Sequence, residues 1–291
     1  MMSDESFRQK LLIVGCGSIG KKHENNAKKL GAEVVTVDPN PMLKADFPSV
    51  QQAFSNQKGK KFSHALIATP VETHLSLLRE LLDAGIPFIL VEKPLVLPED
   101  ISEIRALASA VKTQTVAMGF NWRFNSAVRA LKQRIHDGQF GLIRVAQFTA
   151  REWLPRYRGN VVLESGSHIV DTARFVLGDL RLVGAHISHF GILGGTDEAA
   201  TLLFEGPKGI HVTTHVNFVN PSSYEYTIMI QGDKDSIIIH PDRTEIMHEQ
   251  EMKAFLSNDT SQLATFEDGV CNMELIGATL GQFQEPSYNS Q

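Results

Sequence analysis

The chain has 291 residues, 42% of them hydrophobic, and a net charge of −5. That length suits two domains of ordinary size, and no basic stripe exists that would neutralise a run of phosphates, so nucleic acid is excluded as an expected partner. Two cysteines, Cys16 and Cys271, give neither a disulfide framework nor a paired-cysteine metal site, and no apolar run approaches the length of a membrane helix.

The apolar stretch 11–14 is too short for a signal-peptide core, so a cytoplasmic protein is expected. Residues 1–120 alternate strand and helix signals as an α/β Rossmann domain, a doubly wound parallel sheet, would. Strands are predicted at 11–14, 33–37, 64–69, 87–91 and 115–120, and helices at 19–30, 72–84 and 98–110. Past a helix at 126–136 the apolar segments alternate with period two. Residues 121–291 are therefore expected to form an α+β domain with a large, mostly antiparallel, open-faced sheet. Its strands are predicted at 142–149, 182–190, 199–204, 210–218, 224–231, 236–240 and 244–248, with helices at 167–177 and 266–280. An antiparallel sheet needs only one face covered by its own helices. A homodimer or homotetramer through the open face is the corresponding expectation.

The run Gly15-Cys16-Gly17-Ser18-Ile19-Gly20 follows the first strand and opens the first helix, the context in which GxGxxG signals dinucleotide binding. Gly15 permits the tight turn, Gly17 lets backbone approach a pyrophosphate, and Gly20 allows helix and strand to pack closely. Ser18 and Ile19 start the helix, where unpaired N–H groups and the positive dipole end meet phosphate. Asp38 closes the second strand, placed to accept hydrogen bonds from both hydroxyls of an adenosine ribose and to repel a 2′-phosphate. Pro39, Asn40 and Pro41 supply no arginine for such a phosphate, so NAD is expected in preference to NADP. The other role open to Asp38 is that of a turn residue before proline. Thr69 and Pro70, where the third strand ends, would line the same cleft. His74, inside the next helix, either approaches a ribose or lies on the helix surface. Glu92-Lys93-Pro94 closes a buried strand whose carboxyl end faces the cleft, and desolvation there would ease deprotonation of a lysine.

With Ala68-Thr69-Pro70, Thr73-His74, Gly119-Phe120-Asn121-Trp122-Arg123-Phe124 and the segment from Glu164 to Asp171 added to the glycine and Glu92-Lys93-Pro94 motifs, the chain resembles the Gfo/Idh/MocA superfamily. The resemblance implies an NAD(P)-dependent oxidoreductase that moves a hydride between nicotinamide and a secondary alcohol or ketone of a sugar, sugar acid or nucleotide sugar. It also implies that Lys93 is catalytic and that Glu92 lies near the cofactor. The family's second catalytic segment, Asp-x-Gly-x-His-x-x-Asp, reads here Glu164-Ser165-Gly166-Ser167-His168-Ile169-Val170-Asp171, with glutamate in place of the first aspartate.

Ser165 or Ser167 would cap the helix that follows, placing His168 at its amino terminus with Asp171 in its first turn. There the positive helix end would keep the imidazole neutral and able to accept a proton, with Glu164 holding its other nitrogen. The alternative is that His168 and Asp171 are structural. Asn121 and Arg123 would position substrate, Arg123 alternatively serving as a hinge residue. Arg151, Arg156 and Tyr157 belong to a segment that could clamp an anionic sugar; a solvated loop with an arginine paired to Glu152 is the other reading. His211 and His215 share a strand face but have no third ligand of recognisable spacing, so no metal is expected. Two further readings keep the fold: a dinucleotide sensor without turnover, and a biliverdin-reductase-like enzyme. Lys93 and the segment from Glu164 to Asp171 argue for sugar chemistry over both.

Overall fold

The computed structural model describes residues 9–56, 61–152, 160–191, 198–220, 224–243 and 246–281. By its internal contacts the chain divides into two compact units, Met1–Phe124 with Thr244–Val270, and Asn125–Arg243 with Cys271–Gln291. No helix among the described residues is long and apolar enough to cross a membrane.

In chain order the first unit opens with β1 (Lys10–Val14), α1 (Ser18–Lys29), β2 (Glu33–Val37), α2 (Val50–Ser55), β3 (His64–Ile67), α3 (His74–Asp83), β4 (Phe88–Glu92), α4 (Ile101–Ala110) and β5 (Thr115–Gly119). These strands are near-continuous apolar runs because a parallel sheet is covered on both faces. β1 pairs in parallel with both β2 and β3. The chain therefore reverses direction across the sheet between β1 and β3, the place where open parallel sheets hold ligands. α1 and α3 both stop at glycines of positive φ, Gly31 and Gly85. The short α2 carries no sequence period, and Ser49 caps it by accepting from Gln52 N–H.

The second unit holds α5 (Ser126–His136), β6 (Ile143–Arg151), α6 (Ser167–Leu177), β7 (Arg181–Ser188), β8 (Ala199–Gly206), β9 (Ile210–Asn217), β10 (Glu225–Gly232) and β11 (Ser236–Ile239). Their order is β11-β10-β6-β9-β8-β7, antiparallel except for the parallel β6–β9 pair. Period-two alternation buries Ala146, Phe148, Ala150, Val212 and Val216 on one face, where Ile169, Val170 and Ala173 of α6 pack. The opposite face carries Gln147, Thr149, Thr201, Leu203 and His215.

The chain then returns to the first unit as α7 (Ile246–Leu256) and β12 (Ala264–Thr265), which pairs antiparallel with β5, before α8 (Phe266–Gly281). Where a strand was expected at 244–248, the described residues form a helix from Ile246. Met247, Met252, Phe255 and Leu256 are buried there, and the helix packs against α1. Packing between distant segments overrides the short alternation that suggested a strand. The first unit thus extends past the expected boundary at 120 and takes back a segment assigned by sequence to the second domain.

Candidate active site

Gly15, Gly17, Asp38, Thr69, Pro70 and Thr73 line one cavity of about 750 Å³ at the carboxyl ends of β1, β2 and β3. Each glycine has a separate reason to be one. Gly15 has φ +99, and a Cβ there would strike the Ala68 carbonyl; a Cβ on Gly20 would strike the Gly15 carbonyl. Gly17 instead meets nothing within 4 Å. Its bareness is toward the cavity, which is what close approach of a pyrophosphate requires. Gly17 is the N-cap of α1 and no side chain caps the helix, so the N–H groups of Ser18 and Ile19 stand at an open, positive helix end.

Asp38 is held rigidly. Its Oδ2 accepts from Cys16 N–H at 2.8 Å and its Oδ1 from Asn40 N–H at 2.8 Å. Together with the cavity and the uncapped helix, this fits an adenosine dinucleotide without a 2′-phosphate. His74 takes neither expected place: it is 1% exposed, with Nε2 facing the Thr69 carbonyl at 2.9 Å and Nδ1 facing the Pro94 carbonyl at 3.0 Å. It ties the loop after β3 to the loop after β4. Burial lowers its pKa, outweighing the carbonyls, which pull toward imidazolium.

Glu92 ends β4 buried, and Lys93 follows half-buried. The Glu92 Oε1 lies 2.6 Å from His23 Nε2, and Oε2 accepts from Lys93 N–H at 3.2 Å. Burial works to raise the Glu92 carboxyl; the hydrogen bond and charge of His23, with His248 and Lys93, hold it below the usual range. His23, Glu92 and Glu251 offer donor atoms all within 4.8 Å of one another, a set distinct from the strand histidines weighed in the sequence. Two ligands about 2.1 Å from one ion at a right angle would stand about 3.0 Å apart. The 2.6 Å contact is therefore read as a hydrogen bond and not as a chelate. No sequence motif marks His248 or Glu251; the one available signal was that His23 falls with Gly20 and Ala27 on the buried stripe of α1.

Asn121 and Arg123 are buried in the first unit. Asn121 Nδ2 donates to His248 Nε2 at 3.2 Å, and Arg123 Nη1 pairs with Asp268 at 3.1 Å. Arg123 Nη1 is held in an ion pair inside the first unit, which accords with the structural alternative weighed for it and not with positioning substrate.

In the second unit, Glu164, Ser165 and Gly166 belong to a π-helical turn, Val162–Gly166, that runs without a break into α6. Gly166, in the capping position, has helical φ −60 and ψ −42. Neither Ser165 nor Ser167 is an N-cap; Asn160 Oδ1 does that work, accepting from Val162 and Leu163 N–H at 2.8 and 3.1 Å. His168 therefore stands inside a continuous helical run, and the dipole argument for its neutrality does not apply. Ser165 Oγ donates to Glu152 at 2.6 Å, and the Tyr224 hydroxyl also bonds Glu152. Glu152 is buried, not a solvated loop residue. Asp171 is fully buried, and after burial itself its charge is among those that raise the Tyr226 phenol. Arg151 pairs with Glu225 at 3.3 Å beside His215, on the sheet face opposite α6. Arg156 and Tyr157 lie outside the described residues.

Residues 9–121 match the oxidoreductase family with NAD-binding Rossmann fold, and residues 128–238 match the GFO/IDH/MocA C-terminal domain. D-apiose dehydrogenase of Paraburkholderia graminis is 25% identical over 243 residues, 75% of this chain and 63% of that protein. Inositol 2-dehydrogenase of Rhizobium meliloti is 28% identical over 189 residues, 57% of this chain and 54% of that protein. The chain thus spans about half to two thirds of the length of these curated relatives. The scyllo-inositol dehydrogenase of Lactobacillus casei, solved with NAD(H) and scyllo-inositol, superposes with TM-score 0.80 at 19% identity, covering 95% of this chain and 97% of that one. With both parts matched in order, the chain belongs to the Gfo/Idh/MocA family of oxidoreductases.

Proposed function

We propose that the protein is an NAD-dependent dehydrogenase acting reversibly at a secondary alcohol carbon of a sugar, sugar acid or related polyol. The observation that carries this reading is Lys93, leaving β4 in the same sheet whose neighbouring strands end at the Gly15–Thr69 cavity. Bound NAD supplies the hydride acceptor. The N–H groups at the start of α1 hold its phosphates, and Asp38 holds the adenosine ribose. Lys93 donates a hydrogen bond to the substrate oxygen and stabilises its developing negative charge. His168 takes the hydroxyl proton, and Glu164, close by in the π-turn, orients it. The names of the relatives, apiose and inositol dehydrogenases, support a polyhydroxylated substrate.

The open face of the second sheet is proposed to join copies of the chain, and the cytoplasm is proposed as its compartment. Titration with NADH and NADPH, followed by a turnover screen on sugars, cyclitols and nucleotide sugars with wild type and Lys93→Met, tests the reading. NADH binding retained with turnover lost in the variant is the expected result. Equal turnover in Lys93→Met removes the lysine from the mechanism, and NADH binding with no turnover on any substrate turns the reading to a sensor.

A further inference from the structure

Three titratable side chains of the first unit have no part in the proposed reaction: the buried His23 of α1 and Glu251 of α7, and the half-buried His248 of α7. His23 is 0% exposed and Glu251 1% exposed, and they converge on Glu92, itself 7% exposed. One Glu92 oxygen faces His23 Nε2 at 2.6 Å, the other takes the Lys93 amide at 3.2 Å, and a Glu251 oxygen lies within 4.8 Å of a ring nitrogen of His23 and of a carboxylate oxygen of Glu92. The His248 ring stands edge-on to His23 with centroids 5.7 Å apart, and Asn121 donates to it. Lys93 is the remaining charged group of this cluster.

Two carboxylates this close in a dry site repel each other, and neither is tolerated without a compensating donor. The imidazoles lie where that compensation is needed. Space also fixes the carboxylate: a Cβ on Gly119 would come within 3.0 Å of the Glu92 carboxyl group. Glu92 thus has one seat, bounded by His23, the Lys93 amide and bare backbone.

We propose that His23 and Glu251 are positioning residues for Lys93, acting through Glu92. This rests on the reading of Lys93 as the lysine that meets the substrate oxygen. Glu251 and His23 keep the Glu92 carboxylate turned to the Lys93 backbone. Released from them, that carboxylate turns toward the Lys93 ammonium and neutralises the charge that the developing alkoxide needs. The helix that returns from beyond the second unit's sheet therefore completes the first unit's catalytic strand.

The test uses the full chain with Lys93→Met, His23→Gln, Glu251→Gln and Glu251→Asp, measuring kcat, KM, NADH affinity and the pH-rate profile. His23→Gln and Glu251→Gln are expected to lower kcat roughly ten- to a hundred-fold with NADH affinity unchanged, the scale of a displaced catalytic group. Glu251→Asp restores most of the loss. The acid limb of the profile moves to higher pH in His23→Gln, because the Glu92 carboxyl loses the partner that held it low. If His23→Gln does not fold, the Glu251→Gln and Glu251→Asp pair decides. Wild-type kcat and profile in Glu251→Gln, with Lys93→Met inactive, overturn the proposal and leave the lysine reading intact. Turnover in Lys93→Met overturns both. Activity lost to a chelator and restored by zinc assigns the cluster to a cation and also overturns the proposal.

Discussion

Asp38 is the residue on which the proposed preference for NAD over NADP turns. Both of its oxygens are occupied by backbone donors, Cys16 N–H and Asn40 N–H, each at 2.8 Å. Hydrogen bonds to a charged group contribute about 1.5–3 kcal/mol each, so the carboxylate does not turn away to admit a 2′-phosphate. Asp38→Ala is expected to raise KM for NAD about ten-fold, an energy of about 1.4 kcal/mol, and to narrow the preference over NADP. Steady-state KM values for both cofactors check this, and an unchanged ratio would return Asp38 to the role of a turn residue. The glycine turn was legible because Gly15 and Gly20 each answer a local demand of the backbone, and Asp38 lies at the cavity because it closes β2. His74 was not legible: its role depends on carbonyls of Pro94 and Leu95, twenty residues on, which no local pattern announces.

Among the elements, β6, β8, β9 and β10 were legible because each buries every second side chain over most of its length on one sheet face, a period the sequence displays directly. α7 was hidden by chemistry. Its buried positions include Met247, Glu251 and Phe255 at helical spacing, and a glutamate in the middle of the stripe erases the apolar period. The π-turn before α6 was hidden too, since Ser165 has the identity of a cap while its hydroxyl is spent on Glu152. α7 is also anchored through a histidine. His64 of β3 stacks on Phe88 at 5.1 Å, meets Phe255 edge-on at 4.9 Å, and bonds Asn258 Oδ1 through Nε2 at 2.9 Å. Burial pushes its pKa down, against the hydrogen bonds the ring donates to Asn258 and to the Phe255 backbone. The unfolded chain then takes a proton at a pH where the folded one does not. The stability His64 provides is thus complete above about pH 6.5 and is lost as pH falls through the lower folded value. Urea midpoints from pH 8 to pH 5 should fall less steeply for His64→Leu than for wild type. Parallel slopes would show that His64 is protonated equally in both states.

For the whole molecule, the first unit is discontinuous in sequence, and its returning segment does more than cover a surface. β12 adds an antiparallel strand to β5, and Asp268 closes a partly buried ion pair with Arg123 at 3.1 Å. Against burial, which raises it, the Arg123 charge and the hydrogen bonds from Arg123 and Thr265 hold the Asp268 carboxyl low. α7 contributes Met247, Met252, Phe255 and Leu256 to the core. Burying four such side chains contributes roughly 6–12 kcal/mol at about 1.5–3 kcal/mol each. That is comparable with the whole stability of a typical domain, about 5–15 kcal/mol. A fragment of residues 1–124 is therefore expected to show no cooperative unfolding transition and no NADH binding. The second unit's own chain ends indicate how to restore it: Asn125 Nδ2 donates to the Asp242 carbonyl at 2.7 Å, so the outgoing and returning strands of chain pass side by side. Joining residue 124 to residue 244 through a short glycine-serine linker and ending at 270 should recover both the transition and NADH binding. Cooperative melting with NADH binding in residues 1–124 alone would show that the first unit is complete before the chain returns, and that α7 only decorates it.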